Sequence, residues 1–241
     1  MSETRIAMWS GPRNLSTALM RSFGARGDCV VSDEPFFAPF LAATGIDHPM
    51  REEVLAHHET DPQKAAAHCL APLPKGVLIH YQKQMCHHML PSFDMRFMEQ
   101  ATNAFLIRDP EEVAASYEAK RERPTGDDLG FNAQNVLYDR VADRIGESPP
   151  VVDAADIIAT PEDTLKRLCT ALKIPWDAGM LSWPPGRRET DGVWAAHWYG
   201  AVEASTGFAP PVRKTVQLSD HGKRLAAAAR PVYEKLKRVK I

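Results

Sequence analysis

Four groups of side chains in this sequence have the chemistry to hold an anion or move a proton. The first follows an apolar run, Ile6 to Trp9, that breaks at Ser10, Gly11 and Pro12. Arg13, Asn14, Ser16 and Thr17 come next, and Leu15, Leu19, Ser22 and Phe23 then recur at spacings of three and four. The pattern predicts a buried strand, a tight loop and a helix whose cap is Asn14 or Ser16. Such a loop aims several amide N–H groups at one spot, which suits phosphate above other anions. Arg13 adds a full positive charge, and Ser16 and Thr17 add hydroxyl donors. The Walker A pattern is absent, because it needs Gly-Lys before the hydroxyl residue and Leu15 stands before Ser16. By itself the stretch reads equally well as an ordinary strand, turn and helix.

The second group centres on Arg108, at the end of a predicted strand and just before a helix that Asp109, Pro110, Glu111 and Glu112 announce and that carries Val113, Ser116 and Tyr117. A guanidinium is a forked, permanently charged donor to phosphate. The bland alternative is a surface ion pair of Arg108 with Asp109 or Glu112. Glu34 is the third, at the end of a short β-rich run in the Asp33-Glu34-Pro35 corner. A carboxylate there serves as a base if burial raises its pKa, and otherwise as an ion-pair partner. Lys83, His87 and His88 make up the fourth, on the exit of a predicted strand. A neutral imidazole is a good base near pH 7, and a polar loop end is the plain alternative. Nothing supplies a third ligand at metal-site spacing, so no metal is expected.

These residues need a scaffold. Buried strands are expected near 5–9, 28–33, 77–81, 103–108 and 149–153, alternating with helices. Helices are predicted over 51–71 as one or two surface helices, with Pro62 opening the second, and near 94–100, 110–120, 132–146 and 161–172. Residues 219–238 also read as helical, with Pro231 kinking or splitting them. Residues 36–50 read as irregular or lid-like, 123–131 as a loop, and 174–216 as a binding segment. The alternation predicts an α/β fold in three layers, with a central, mostly parallel sheet of about five strands flanked by helices.

The chain has 241 residues, of which 44% are hydrophobic, enough for one sizeable domain. A formal charge of −2 carries no basic signature for nucleic acid. No apolar run approaches the roughly 20 residues that span a bilayer. The first residues have no signal-peptide layout, and Cys29, Cys69, Cys86 and Cys169 lack CxxC spacing. A soluble cytoplasmic protein with reduced thiols is therefore expected.

Taken together the groups resemble the sulfotransferase family, which has a P-loop-like fold and uses 3′-phosphoadenosine 5′-phosphosulfate (PAPS). Pro12 to Thr17 is similar to the family's Pro-[Arg/Lys]-Ser-Gly-[Thr/Ser]-Thr loop, with Leu15 in place of Gly. Arg108, Pro110 and Ser116 resemble the strand-end Arg-x-Pro and the helix Ser of the family. A third likeness runs through Leu172 to Asp177 and Met180 to Gly186, with Asp191, Trp194, His197, Trp198 and Tyr199 where the family closes over the nucleotide. The resemblance implies that Arg13, Asn14, Ser16 and Thr17 hold the 5′-phosphosulfate and that Arg108 and Ser116 hold the 3′-phosphate. It also implies Lys83 as the cation for the transition state, with Glu34 or the His87–His88 pair as base. The expectation is one domain over residues 1–241, with 174–216 as its cap. The acceptor would be the hydroxyl or amine of a small molecule, and homo-oligomerisation stays open. The rivals are a P-loop nucleotide kinase or NTPase, and a non-catalytic nucleotide-binding module.

Overall fold

A computed structural model describes residues 3–120, 123–208 and 217–241. Its centre is a five-stranded sheet in the order β2-β3-β1-β4-β5, every neighbouring pair parallel. The strands are β1 (Thr4–Ser10), β2 (Cys29–Asp33), β3 (Ile79–Met85), β4 (Thr102–Ile107) and β5 (Val151–Asp153). Parallel pairing puts all five C-terminal ends on one edge, where open α/β sheets bind ligands. The register pairs Ser10 with Met85 and Asp33 with Lys83, so the first loop and the Glu34 corner leave the sheet side by side.

Between the strands lie α1 (Ser16–Gly24), α2 (Phe37–Thr44), α3 (Arg51–His57), α4 (Pro62–Cys69), α5 (Pro110–Glu118) and α6 (Phe131–Ile145). Later come α7 (Ala154–Ala159), α8 (Pro161–Ala171), α9 (Ala195–Trp198), α10 (Gly200–Glu203) and α11 (Asp220–Lys237). Alternation along β1 sends Ile6 and Met8 into one core, and Ala7 and Trp9 into the other. The first core joins Leu19 and Phe23 of α1 to Tyr81 and to Leu165 and Leu168 of α8. Across the sheet the second joins Phe105 to Val113 of α5, Val141 of α6 and Tyr233 of α11. Phe23 stacks on Tyr81 with ring centroids 4.2 Å apart, and truncating such a buried ring costs about 3–5 kcal/mol.

Several expectations need correcting. Residues 36–50 are irregular only in their second half: Phe37 to Thr44 is helical, with Phe36, Phe37, Ala38 and Leu41 buried, while residues 45–50 form neither helix nor strand. Apolar packing outweighs the local Pro and Phe content here. The third strand starts and ends later than its apolar core suggests, so Lys83 sits inside β3 and not on its exit. Polar residues in this central strand broke the hydrophobic pattern used to find it. The helix expected at 94–100 is a short 3₁₀ turn over Arg96–Gln100. Pro231 does not split the last helix: α11 runs through it, held by buried Ala226, Ala229, Tyr233 and Leu236. A short helix, α7, follows β5 with Asp153 as its cap.

Candidate active site

The loop after β1 is shaped by neighbours more than by its own capping. Neither Asn14 nor Ser16 caps α1; Leu15 holds the cap position with no side-chain bond. Asn14 instead bridges two strands' ends. Its Oδ1 accepts from the Leu15 N–H at 2.8 Å, and its Nδ2 donates to the Leu106 carbonyl at 2.9 Å. Gln134 of α6 donates to the same carbonyl at 2.9 Å. Arg13 lies in the left-handed region at φ 55°, a conformation that strains a residue with a side chain. Gly130 wedges against the loop: a Cβ there would stand 2.6 Å from Pro12 Cδ.

Arg108 joins this loop to the end of β4. Its Nη1 donates to the Arg13 carbonyl at 2.7 Å, and its Nε donates to Glu112 at 2.9 Å. The Arg13 guanidinium lies 5.1 Å from the centre of the Tyr117 ring, one residue beyond Ser116. Three separate segments predicted to grip one nucleotide therefore meet. Ser16 is buried, Thr17 and Ser116 are half-buried, and none of their hydroxyls is hydrogen-bonded within the described residues.

Glu34 and Lys83 meet at the next strand ends. Lys83 is fully buried and donates to Glu34 at 2.5 Å, to Asp33 at 2.9 Å and to the Tyr199 hydroxyl at 2.6 Å. Those three bonds use every N–H of the ammonium. Burial alone would lower the Lys83 pKa, but the two carboxylates hold it well above the ordinary value. One ammonium shared between two acids leaves an excess negative charge. Burial and the Asp33 charge therefore raise the Glu34 pKa, although Lys83 opposes them. Glu34 also carries strain, at φ 47°.

His88 is buried between Phe37 and Phe40, stacked at centroid distances of 4.7 and 5.0 Å. Its Nδ1 lies 3.9 Å from Glu34 Oε2 and makes no hydrogen bond. Burial pushes both histidines down, His87 to about 4, so both are neutral at pH 7. Both candidate bases thus lie in one neighbourhood, with Glu34 the better connected.

The resemblance singled out Asp191, Trp194 and Tyr199 as closing over the nucleotide, but sequence reasoning missed that they, with Gly192 and Arg21, hold this centre. Tyr199 donates to Asp33 at 2.8 Å and accepts from Trp194 Nε1 at 3.2 Å. The Gly192 N–H donates to the other Asp33 oxygen at 3.1 Å. A Cβ on Gly192 would run into the Trp194 ring at 2.2 Å, so this turn requires glycine. Arg21 of α1 grips Asp191 through two bonds of 2.6 and 2.7 Å. Segment 188–199 therefore closes over Asp33 and Lys83. Among the described residues, no group of three or more His, Cys, Asp or Glu is placed to hold a metal ion. No helix there is long and apolar enough to cross a membrane.

A family model described as a sulfotransferase domain matches residues 4–239. The chain belongs to the sulfotransferase domain family. Sulfo-group transfer is that family's reaction. The fold of this sulfotransferase domain is shared by solved structures at low identity. The sulfotransferase domain from the curacin biosynthetic pathway is 15% identical, with a TM-score of 0.52, over 95% of this chain and 98% of that one. A sulfotransferase from Alicyclobacillus acidocaldarius is 11% identical, with a TM-score of 0.55, over 99% and 96%. In sequence, the domain is 37% identical over 234 residues to branched-chain-amino-acid aminotransferase-like protein 1 of Arabidopsis thaliana. That match takes in 96% of this chain but 41% of the relative. Like protein 2 of the same plant is 35% identical over 206 residues, covering 86% of this chain and 36% of the relative. The chain thus spans under half the length of these curated relatives, whose names describe longer proteins.

Proposed function

We propose that this sulfotransferase moves the sulfo group of PAPS to a hydroxyl or amine of a small-molecule acceptor. The reading rests above all on one observation: Arg108 at the end of β4 is bonded to the backbone of the Arg13 loop at the end of β1. Arg13 and Arg108 then lie at the binding edge of the sheet with Ser16, Thr17 and Ser116, whose hydroxyls make no hydrogen bond among the described residues. Arg13, Asn14, Ser16 and Thr17 take the 5′-phosphosulfate. Arg108 and Ser116 take the 3′-phosphate, and Arg108 exchanges its exposed Glu112 contact for the phosphate as it does so.

In the reaction the acceptor oxygen or nitrogen bonds to sulfur while the bond from sulfur to the bridging phosphate oxygen breaks. The acceptor's proton goes to Glu34, and 3′,5′-adenosine bisphosphate leaves. A carboxyl whose pKa is raised by burial is suited to that proton. As Glu34 becomes neutral, its hold on Lys83 weakens, and the ammonium turns towards the negative charge on the bridging oxygen. Positioning and fixed charge supply the rest, as in phosphoryl transfer.

The test follows release of 3′,5′-adenosine bisphosphate from PAPS in the presence of alcohols, phenols and amines. Wild type is expected to turn over with at least one acceptor, and Glu34→Gln to lose at least about tenfold in kcat, roughly 1.4 kcal/mol. A chain that binds the bisphosphate but turns over none of them is a nucleotide-binding module.

A further inference from the structure

The bonds around Tyr199 are saturated. Its hydroxyl has one hydrogen and two lone pairs. The hydrogen goes to the Asp33 carboxylate, whose two oxygens both lie 2.8 Å away. Lys83 donates to one lone pair at 2.6 Å, and Trp194 Nε1 to the other at 3.2 Å. The Lys83 ammonium also sits 5.0 Å from the centre of the Tyr199 ring. Asp33 accepts from three donors, Lys83, Tyr199 and the Gly192 N–H. Only the third Lys83 bond, to Glu34, leads towards the edge of the site.

We infer that Tyr199 is a positioning residue: its hydroxyl, held by Asp33 and Trp194, fixes the Lys83 ammonium against Glu34. This rests on the reading of Glu34 as the base. The residue comes from segment 188–199, tied to α1 through Arg21 and Asp191 and to His58 through the Val193 N–H at 3.3 Å. The C-terminal third of the chain thus contributes the third corner of a catalytic group otherwise built on β2 and β3.

The chemistry of removal has a definite sign. Without the hydroxyl, Asp33 loses its neutral donor and draws Lys83 towards itself. Glu34 is then left with less of the ammonium and with a less screened Asp33 charge, and both effects favour its protonated form. The other charged or titratable groups at hand are His88, with Nδ1 3.9 Å from Glu34 Oε2, His58, which packs against Trp194 and feels the Asp33 charge, Tyr81 beside Lys83, and the Arg21–Asp191 pair behind Gly192. The substitution removes no hydrogen bond from any of them.

Carbon-13 NMR of protein labelled at the glutamate carboxyl carbons tests this on the free enzyme, with Glu34→Gln assigning the signal. In Tyr199→Phe, which keeps the ring, the Glu34 midpoint is expected to rise by about 0.5–1 pH unit. A midpoint that stays in place or falls overturns the inference. If Tyr199→Phe does not fold, Trp194→Phe removes the N–H that pins the hydroxyl, and it is judged by the same rise. The readout needs no nucleotide. Calorimetry with 3′,5′-adenosine bisphosphate on the same proteins tests the donor site separately, so either idea can fail without the other.

Discussion

The guanidinium of Arg21 and the carboxylate of Asp191 are 170 residues apart in sequence and meet in two bonds, with 3% and 0% of their side chains exposed. Asp191 also accepts from the Arg188 N–H at 2.8 Å. The pair fastens the segment that carries Gly192, Trp194 and Tyr199 to the helix behind the Arg13 loop. The Arg13 loop and the Asp33–Lys83–Glu34 cluster therefore share one clamp.

Breaking that clamp from one side should be severe. Arg21→Met leaves a buried carboxylate without its cation, which costs about 3–5 kcal/mol. Urea unfolding measures it. Arg21→Met combined with Asp191→Leu should recover part of the loss, because no buried charge is then left unpaired. A single-substitution loss below about 1 kcal/mol would mean that water or a neighbour already compensates the charge.

Two glycines separate backbone strain from loop support. Gly130 and Gly146 flank α6 at φ 75° and 73°. A Cβ at Gly146 meets nothing within 4 Å, while one at Gly130 meets Pro12 Cδ at 2.6 Å. Gly146→Ala should cost only the left-handed strain, about 1 kcal/mol or a few degrees in Tm. Gly130→Ala should cost more and also weaken nucleotide binding, since it displaces Pro12 next to Arg13. Equal effects on nucleotide affinity would remove Gly130 from the account.

The places of the strands along the chain and the α/β class are legible in the sequence because apolar runs and capping signals are local, whereas the order of the strands in the sheet comes from long-range pairing. Pro62 and Pro110 open their helices as expected, with Asp61 and Asp109 as caps. Polar residues inside β3 hide where that strand ends: Lys83 is buried because Asp33, Glu34 and Tyr199 meet it from distant parts of the chain. Asn14 was legible as polar and near the loop, but not as a bridge to Leu106, since only strand pairing brings β1 and β4 together. The role of Tyr199 depends on contacts 116 and 166 residues away, which no local pattern encodes.

Buried imidazoles fix the acid limb of stability. Burial lowers His80 to about 4 and His87 to about 4, and it also lowers His88. Unfolded, each takes up a proton near the ordinary value of about 6.5. The folded state is therefore favoured fully above about 6.5, and that advantage shrinks as pH falls towards about 4. Melting temperatures measured from pH 7.5 downward should fall through this window, and His80→Asn should give a shallower slope than wild type whatever its stability at pH 7.5. An unchanged slope would place the acid loss elsewhere.

The most direct test of the central claim is calorimetric titration of wild type and Arg108→Ala with 3′,5′-adenosine bisphosphate. The account predicts micromolar binding by wild type and a loss of at least about tenfold, roughly 1.4 kcal/mol, in the variant. Equal affinity in the two proteins would leave Arg108 as no more than the partner of Glu112. Absence of binding by wild type, with ATP and Mg²⁺ bound instead, would contradict the PAPS reading and favour a nucleotide kinase.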